Sequence, residues 1–171
     1  MVNLKQTEVV AKTDIFTLLG LKDLSDGNKK MLLSQMQEIV VNDFFKTELP
    51  KLLSDKDARD IEEVHKKGAP AEEVINLLKD KIPDIEDKLF EKSILFKKSF
   101  VKHHLKVRID VLNKKKTLLE KGKHPKNMDT ESKLKKMEIL DKELTALQKA
   151  LIHYNQKQWD EGIKILASLD N

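Results

Sequence analysis

The longest uninterrupted helical pattern constrains the fold of this 171-residue chain more than any other feature. Residues 84–120 contain neither proline nor glycine, and apolar side chains recur along them with a helical rhythm. At a rise of 1.5 Å per residue, one continuous helix here is about 50 Å long, well beyond the width of a small helical domain. The pattern therefore predicts a single long helix with apolar positions at Leu89, Phe90, Ile94, Phe96, Val101, Leu105, Ile109, Leu112 and Leu119.

A loop and a second long helix follow. Residues 121–129 carry the clearest loop signal in the chain, with a glycine and a proline among lysines. Asp129 or Thr130 then caps a helix with a heptad repeat, and a last short helix begins near Trp159. We predict that residues 96–171 form a long antiparallel helical hairpin with its loop at 121–129 and a short C-terminal helix. The heptad positions are Met137, Leu144 and Leu151, with Leu140, Leu147 and Tyr154.

Residues 154–163 resemble the middle of a tetratricopeptide repeat, where aromatic and small side chains let two helices pack. Only one copy is present, and such solenoids need about three repeats to share a core. We therefore expect a plain helical hairpin that Tyr154 and Trp159 close.

The first half of the chain is a series of short helices. Residues 1–12 show no clear period and predict a flexible tail. Beyond them, Thr13 or Asp14, then Ser25 and Ser54, are candidate N-caps, and Gly20 and Gly68 are candidate helix ends. No strand signal competes. The sequence therefore predicts an all-α protein, with a compact multi-helix domain over residues 13–95 that precedes the hairpin.

Several helix starts and stops follow one another in a distinctive order: Leu18–Ser25, the helix up to Phe45, Leu53–Asp55, Gly68–Pro70 and Ile82–Ile85. This order resembles a small, uncharacterised helical domain of candidate-phylum bacteria with reduced genomes. The resemblance covers residues 14–100 and implies a compact helical module joined to a variable extension. It implies no activity, cofactor or catalytic residue.

Residue counts exclude most site chemistry. The chain has no cysteine, so disulfides, thiolate metal sites and a cysteine nucleophile are ruled out. Its five glycines lie too far apart for phosphate-binding loops or a nucleophile elbow. Glu62 and His65 form one E-x-x-H motif, whereas a di-iron bundle needs two. We expect no enzymatic activity, no cofactor and no metal.

The sequence also favours a cytoplasmic protein. Its first residues lack the basic and apolar regions of a signal peptide. No apolar run approaches the ~20 residues of a membrane helix, so we expect no membrane partner.

Positive charge is concentrated in one segment. Residues 97–126 contain eleven Lys or Arg residues against Asp110 and Glu120, whereas the whole chain has a net charge of only +4. Such asymmetry indicates a surface for an anionic partner. The candidate residues are Lys97, Lys98, Lys102, Lys106, Arg108, Lys114, Lys115, Lys116, Lys121, Lys123 and Lys126.

Two functions fit this pattern. The first is a non-enzymatic helical adaptor that binds another macromolecule, in particular a protein, through its hairpin. The alternative is nucleic-acid or ribosome binding through residues 97–126, where lysines contact phosphates without reading the sequence. Exposed heptad faces also leave a homodimer open.

Overall fold

The computed structural model describes residues 4–21, 23–69, 71–122 and 129–170. Every secondary-structure element within these ranges is a helix and none is a strand, which confirms the all-α class. The α-helices are α1 (Leu4–Lys12), α2 (Ile15–Leu19), α3 (Asp26–Thr47), α4 (Leu49–Leu52), α5 (Asp55–Lys66), α6 (Ala71–Lys81), α7 (Ile85–Glu120), α8 (Thr130–Asn155) and α9 (Trp159–Ala167), followed by a 3₁₀ turn at Ser168–Asp170.

The long helix is confirmed as α7, which runs for 36 residues. Several helix ends also lie where the sequence places them. The carboxylate of Asp14 accepts from the Thr17 amide, and Gly20 ends α2 in the left-handed conformation at φ 62°. Asp129 caps α8 through the Ser132 amide at 2.7 Å. The predicted loop is described only at residues 121, 122 and 129, and Lys123 and Lys126 lie outside the described residues.

The chain divides into two compact units at boundaries that differ from the expected ones. The acidic unit comprises residues 25–96, and the hairpin unit comprises residues 1–24 with 97–171. The acidic unit has 16 Asp or Glu and 12 Lys or Arg residues. Residues 13–24, expected in the compact domain, belong instead to the hairpin unit, because α2 packs against α9.

The expected flexible tail is a helix over the residues described. Within α1, Val10 is fully buried, and the Gln6 side chain reaches the start of α9. Gln6 accepts from the Trp159 amide at 2.7 Å and donates to the Asp160 carboxylate at 2.9 Å. The prediction failed because these partners lie more than 150 residues away in sequence, where no local period reveals them.

The acidic unit has its own core. Buried apolar side chains of α3 to α7 form one cluster, which consists of Phe44, Leu49, Ile61, Val74, Leu78, Ile82 and Ile85. The apolar side chains of α3 are only partly buried, however. Phe44 is 1% exposed, whereas Met31, Ile39 and Phe45 are 57%, 50% and 37% exposed. Apolar residues occur all round α3, so a single packed face cannot bury them.

In the hairpin unit, α9 packs against α8, α2 and α1. The rings of Tyr154 and Trp159 stack with centroids 4.4 Å apart, and both side chains are buried. The Tyr154 hydroxyl donates to the Leu18 carbonyl at 3.1 Å, which connects the end of α8 to α2. Tyr154 and Trp159 thus close the turn between α8 and α9, as the sequence predicts.

Candidate interaction surfaces on the basic helix

The basic residues from Lys97 to Lys121 fall into three groups, and the first is engaged inside the hairpin unit. Lys97 donates to the carbonyls of Val10, at 2.8 Å, and Thr13, so its ammonium satisfies the end of α1. Burial lowers the pKa of Lys97, while the charge of Asp14 opposes that shift. Lys116 pairs with Asp141 of α8 at 2.6 Å. These two cations therefore serve the fold.

Arg108 is the most connected of the engaged cations. Its guanidinium binds one oxygen of Glu143 through two nitrogens, at 2.7 and 3.0 Å. A third nitrogen donates to the carbonyls of Leu19 and Gly20, at 3.2 and 3.3 Å. A cation at the C-terminal end of a helix satisfies carbonyls that have no partner within that helix. Arg108 thus joins α2, α7 and α8, and its charge is compensated.

The second group of basic residues faces solvent. Lys114, Lys115 and Lys121 are exposed and form no ion pair with any described residue. They lie around a short line of apolar side chains on α7, which we call the apolar stripe: Val107, Val111 and Leu118.

The apolar stripe lies apart from the core face of α7. Its side chains are 45%, 44% and 47% exposed, whereas Val101, Leu105 and Leu112 are buried. At 100° per residue, the stripe lies about 120° round the helix from that buried face. Lys114 and Lys121 flank the stripe on one side and Lys115 on the other. Its members are four and seven residues apart, which is the spacing of a seam that receives another helix.

A second cationic surface lies on nearly the opposite side of α7. Lys98, Lys102 and Lys106 follow each other at intervals of four and therefore share one face. Lys157, in the turn between α8 and α9, is close enough for its charge to lower the pKa of both Lys98 and Lys102, after the larger effect of burial. We call these four residues the lysine cluster.

Lys157 is not among the predicted basic residues, because it lies 31 residues beyond the basic segment. The signal available was local: the turn between the two last helices contains a lysine and no glycine. Lys157 occupies the left-handed region at φ 61°, where glycine or asparagine is favoured.

Contacts fix part of the lysine cluster. The Lys98 ammonium donates to the Thr7 hydroxyl at 3.1 Å, and the Lys102 ammonium lies 5.7 Å from the ring centroid of Trp159. Carboxylates on the adjoining helices are engaged elsewhere. Glu8 pairs with Lys12, Asp160 accepts from Gln6, and Glu161 pairs with Lys164. The cluster therefore has a net positive charge without a carboxylate partner among the described residues.

His104, a half-buried residue of α7, is expected to make the stability of the protein sensitive to acid. Burial lowers its pKa, and the charges of Arg108 and His103 lower it further. Since the unfolded chain binds a proton more readily, stability is expected to fall as the pH drops below the ordinary histidine value of about 6.5. Urea unfolding at several pH values measures this, and His104→Gln should flatten the curve. An unchanged slope in that variant would assign the acid sensitivity to other groups.

The hairpin unit also has two open clefts of about 520 Å³ each. One is lined by Leu21, Leu24 and Ile139, and Arg108 and Glu143 also line it. Those two charges bind each other, but Asp23 and Lys142 also line the cleft, so its walls combine apolar and charged side chains. Within the described ranges, no three His, Asp or Glu side chains come together to hold a metal ion. No described helix is both long and apolar enough to span a bilayer.

Comparison with protein-family models, curated proteins and solved structures gives no match for this chain. The resemblance of residues 14–100 to a helical domain of reduced-genome bacteria stays a prediction.

Proposed function

We propose that this protein is a non-enzymatic helical adaptor of the cytoplasm that binds a partner protein through the apolar stripe of α7. The occupant is an amphipathic helix whose apolar seam is bordered by Asp or Glu. The observation that carries this proposal is the combination of Val107, Val111 and Leu118, exposed at helical spacing, with uncompensated lysines on both sides.

The geometry of the stripe supports a helical partner. An amphipathic helix laid along α7 places its apolar side chains at intervals of three and four against the stripe. Each apolar side chain removed from water contributes roughly 1.5–3 kcal/mol when fully buried. Because the stripe spans only about three turns, the contact is small and the binding is expected to be transient.

The charges beside the stripe support an acidic partner. Lys114, Lys115 and Lys121 carry like charges and form no ion pair with a carboxylate of the described residues. Acidic side chains on the partner would meet them at the rim of the contact, which raises the association rate and selects against basic helices. A second copy of α7 would bring lysines to lysines, so charge disfavours a homodimer through this surface.

The exposed apolar residues of α3 offer a weaker surface for such a partner. The exposed apolar side chains of α3 spread over about 240° of the helix circumference and do not form a line; they are Met31, Leu33, Ile39, Val41 and Phe45. A helical partner contacts a line of side chains, so the apolar stripe fits it better than α3 does.

Two designed peptides test this function. Both are amphipathic helices of roughly three heptads with leucine at the seam. One has glutamate and the other lysine at the flanking positions. We expect the intact protein to bind the glutamate peptide and not the lysine peptide in isothermal titration calorimetry. Equal binding of both peptides, or binding of neither, contradicts the proposal.

Three matched variants locate the contact. Val107→Gln, Val111→Gln and Leu118→Gln together should weaken binding of the glutamate peptide at least about tenfold. Lys114→Gln, Lys115→Gln and Lys121→Gln together should weaken it and abolish its salt dependence. The control is Leu134→Gln, Ile139→Gln and Ile152→Gln, three apolar residues of α8 that are 62%, 65% and 54% exposed. The control should bind as the unaltered protein does.

Sedimentation of the unaltered protein and of the stripe variant tests whether a second copy of the chain covers the stripe instead. If the protein self-associates and the stripe variant does not, a second copy of the chain covers the stripe, and the acidic-helix proposal is wrong.

A further inference from the structure

We propose that the lysine cluster, Lys98, Lys102, Lys106 and Lys157, binds the sugar–phosphate backbone of a nucleic-acid strand. This is a second interaction of the protein, on a face of α7 about 160° round the helix from the apolar stripe. It does not depend on the adaptor function, and different residues test it.

The shape of the lysine cluster suits a nucleic-acid strand. Lys98 to Lys106 extend along α7 for about 12 Å at 1.5 Å per residue, which exceeds the size of one phosphate group. Lys157 widens the row from the adjoining turn. An extended row of cations matches a chain of successive negative charges better than it matches a single anion.

Assembling the four charges of the lysine cluster costs free energy. Lys157 holds a left-handed backbone conformation, which costs an ordinary residue roughly 1 kcal/mol relative to glycine. The mutual repulsion of Lys98, Lys102 and Lys157 is also unfavourable. Since unfavourable conformations that persist at one place often mark function, both costs point to a ligand that neutralises the cluster.

The side chains around the lysine cluster favour a nucleic acid over an acidic protein helix. Between Lys98 and Lys106, α7 exposes no large apolar side chain, so a helix has no seam to occupy there. The Trp159 ring beside Lys102 is 2% exposed and the Tyr154 ring stacked on it is 0% exposed, so neither is available for base stacking. Binding therefore involves phosphates without base recognition.

The cluster remains able to bind although two of its members have contacts. The Lys98 ammonium donates one proton to the Thr7 hydroxyl and keeps two for a ligand. Lys102 lies over the Trp159 ring, which orients its ammonium without neutralising it. Lys106 and Lys157 are exposed and have no described partner.

The test titrates the protein with a fluorescent single-stranded RNA of mixed sequence at two salt concentrations. Four phosphate contacts predict a slope of log affinity against log salt of about −2.8, so a fourfold rise in salt lowers affinity about fiftyfold. RNAs of different sequence should bind alike. A strong sequence preference, or affinity that is independent of salt, overturns the proposal.

The cluster variant combines Lys98→Gln, Lys106→Gln and Lys157→Asn, since asparagine tolerates the left-handed conformation. Lys102 is kept because it packs on Trp159. This variant should lose at least about tenfold in RNA affinity, and its slope should fall to about −0.7. Its melting temperature, followed by circular dichroism, shows that it remains folded.

The matched control removes three lysines from the other face, through Lys114→Gln, Lys115→Gln and Lys121→Gln. It should keep its RNA affinity, while the cluster variant should keep its affinity for the glutamate peptide. If the control loses as much RNA affinity as the cluster variant, the charge of the whole helix binds RNA and the cluster is not the site. Polyglutamate that competes with RNA at equal charge concentration likewise overturns the assignment to nucleic acid.

Discussion

Replacing Gly162 by alanine is expected to destabilise the hairpin unit by about 3 kcal/mol or more. A Cβ at this position of α9 would lie 2.2 Å from Cε1 and 2.5 Å from Cδ1 of Tyr154. The Tyr154 ring cannot move aside, because it is fully buried, stacks on Trp159 and donates its hydroxyl to the Leu18 carbonyl. Overpacking in a well-packed core costs typically 1–3 kcal/mol, and a displacement of an anchored ring lies at the upper end.

Chemical unfolding followed by fluorescence measures this effect at the right place. Trp159 is the only tryptophan of the chain and lies against Tyr154. The matched control is Gly27→Ala, since a Cβ at Gly27, in the first turn of α3, meets nothing within 4 Å. Alanine in a helix is favoured over glycine by roughly 0.5–1 kcal/mol, so circular dichroism should show this variant to be as stable or slightly more stable. A Gly162→Ala protein as stable as the unaltered one would show that α8 and α9 do not pack as described.

Arg108→Gln is expected to destabilise the hairpin unit by about 2–3 kcal/mol without weakening binding to RNA or to the glutamate peptide. The variant loses the bonds to Glu143 and to the carbonyls of Leu19 and Gly20. Hydrogen bonds to charged groups contribute about 1.5–3 kcal/mol, and a partly buried carboxylate is left without its partner. Arg108→Lys should recover only part of the loss, because one ammonium cannot span both sets of acceptors.

A double-mutant cycle with Glu143→Gln measures the interaction free energy between Arg108 and Glu143. Lys106→Gln serves as the exposed control and should change the free energy of unfolding by less than about 0.5 kcal/mol. If Arg108→Gln leaves stability intact and abolishes RNA binding, Arg108 belongs to a recognition surface and its role in joining α2, α7 and α8 is refuted.

Local patterns in the sequence predicted the helices of this protein well. The 36-residue α7, the caps at Asp14, Ser25 and Asp129, and the end of α2 at Gly20 all follow from periodicity and capping preferences, which depend on residues a few positions apart. Long-range packing was not predictable in this way. Helix α1 is held by partners near residue 160. The boundary between the two units differs from the predicted one for the same reason, because helices far apart in sequence pack together.

The candidate site shows the same limit. A count of charge in residues 97–126 located α7 as the basic element, but a count treats every cation alike. The fold separates them, because Lys97, Arg108 and Lys116 bind carbonyls or carboxylates that other helices supply. The fold also brings Lys157, in the turn after α8, close to Lys98 and Lys102. Distinguishing such residues requires the positions of their partners.

The discontinuity of the hairpin unit affects the order in which the chain can fold during synthesis. Its first 24 residues leave the ribosome before residues 25–96, yet α1 and α2 pack on α9, which emerges last. At roughly 5–20 residues per second, α2 waits on the order of ten seconds for Trp159 to be made. During that interval Phe16, Leu18 and Leu19 lack α9, the helix that α2 packs against, whereas the acidic unit, continuous in sequence, is already complete. Until α9 is made, a nascent chain of this protein therefore leaves the apolar side chains of α2 accessible to chaperones.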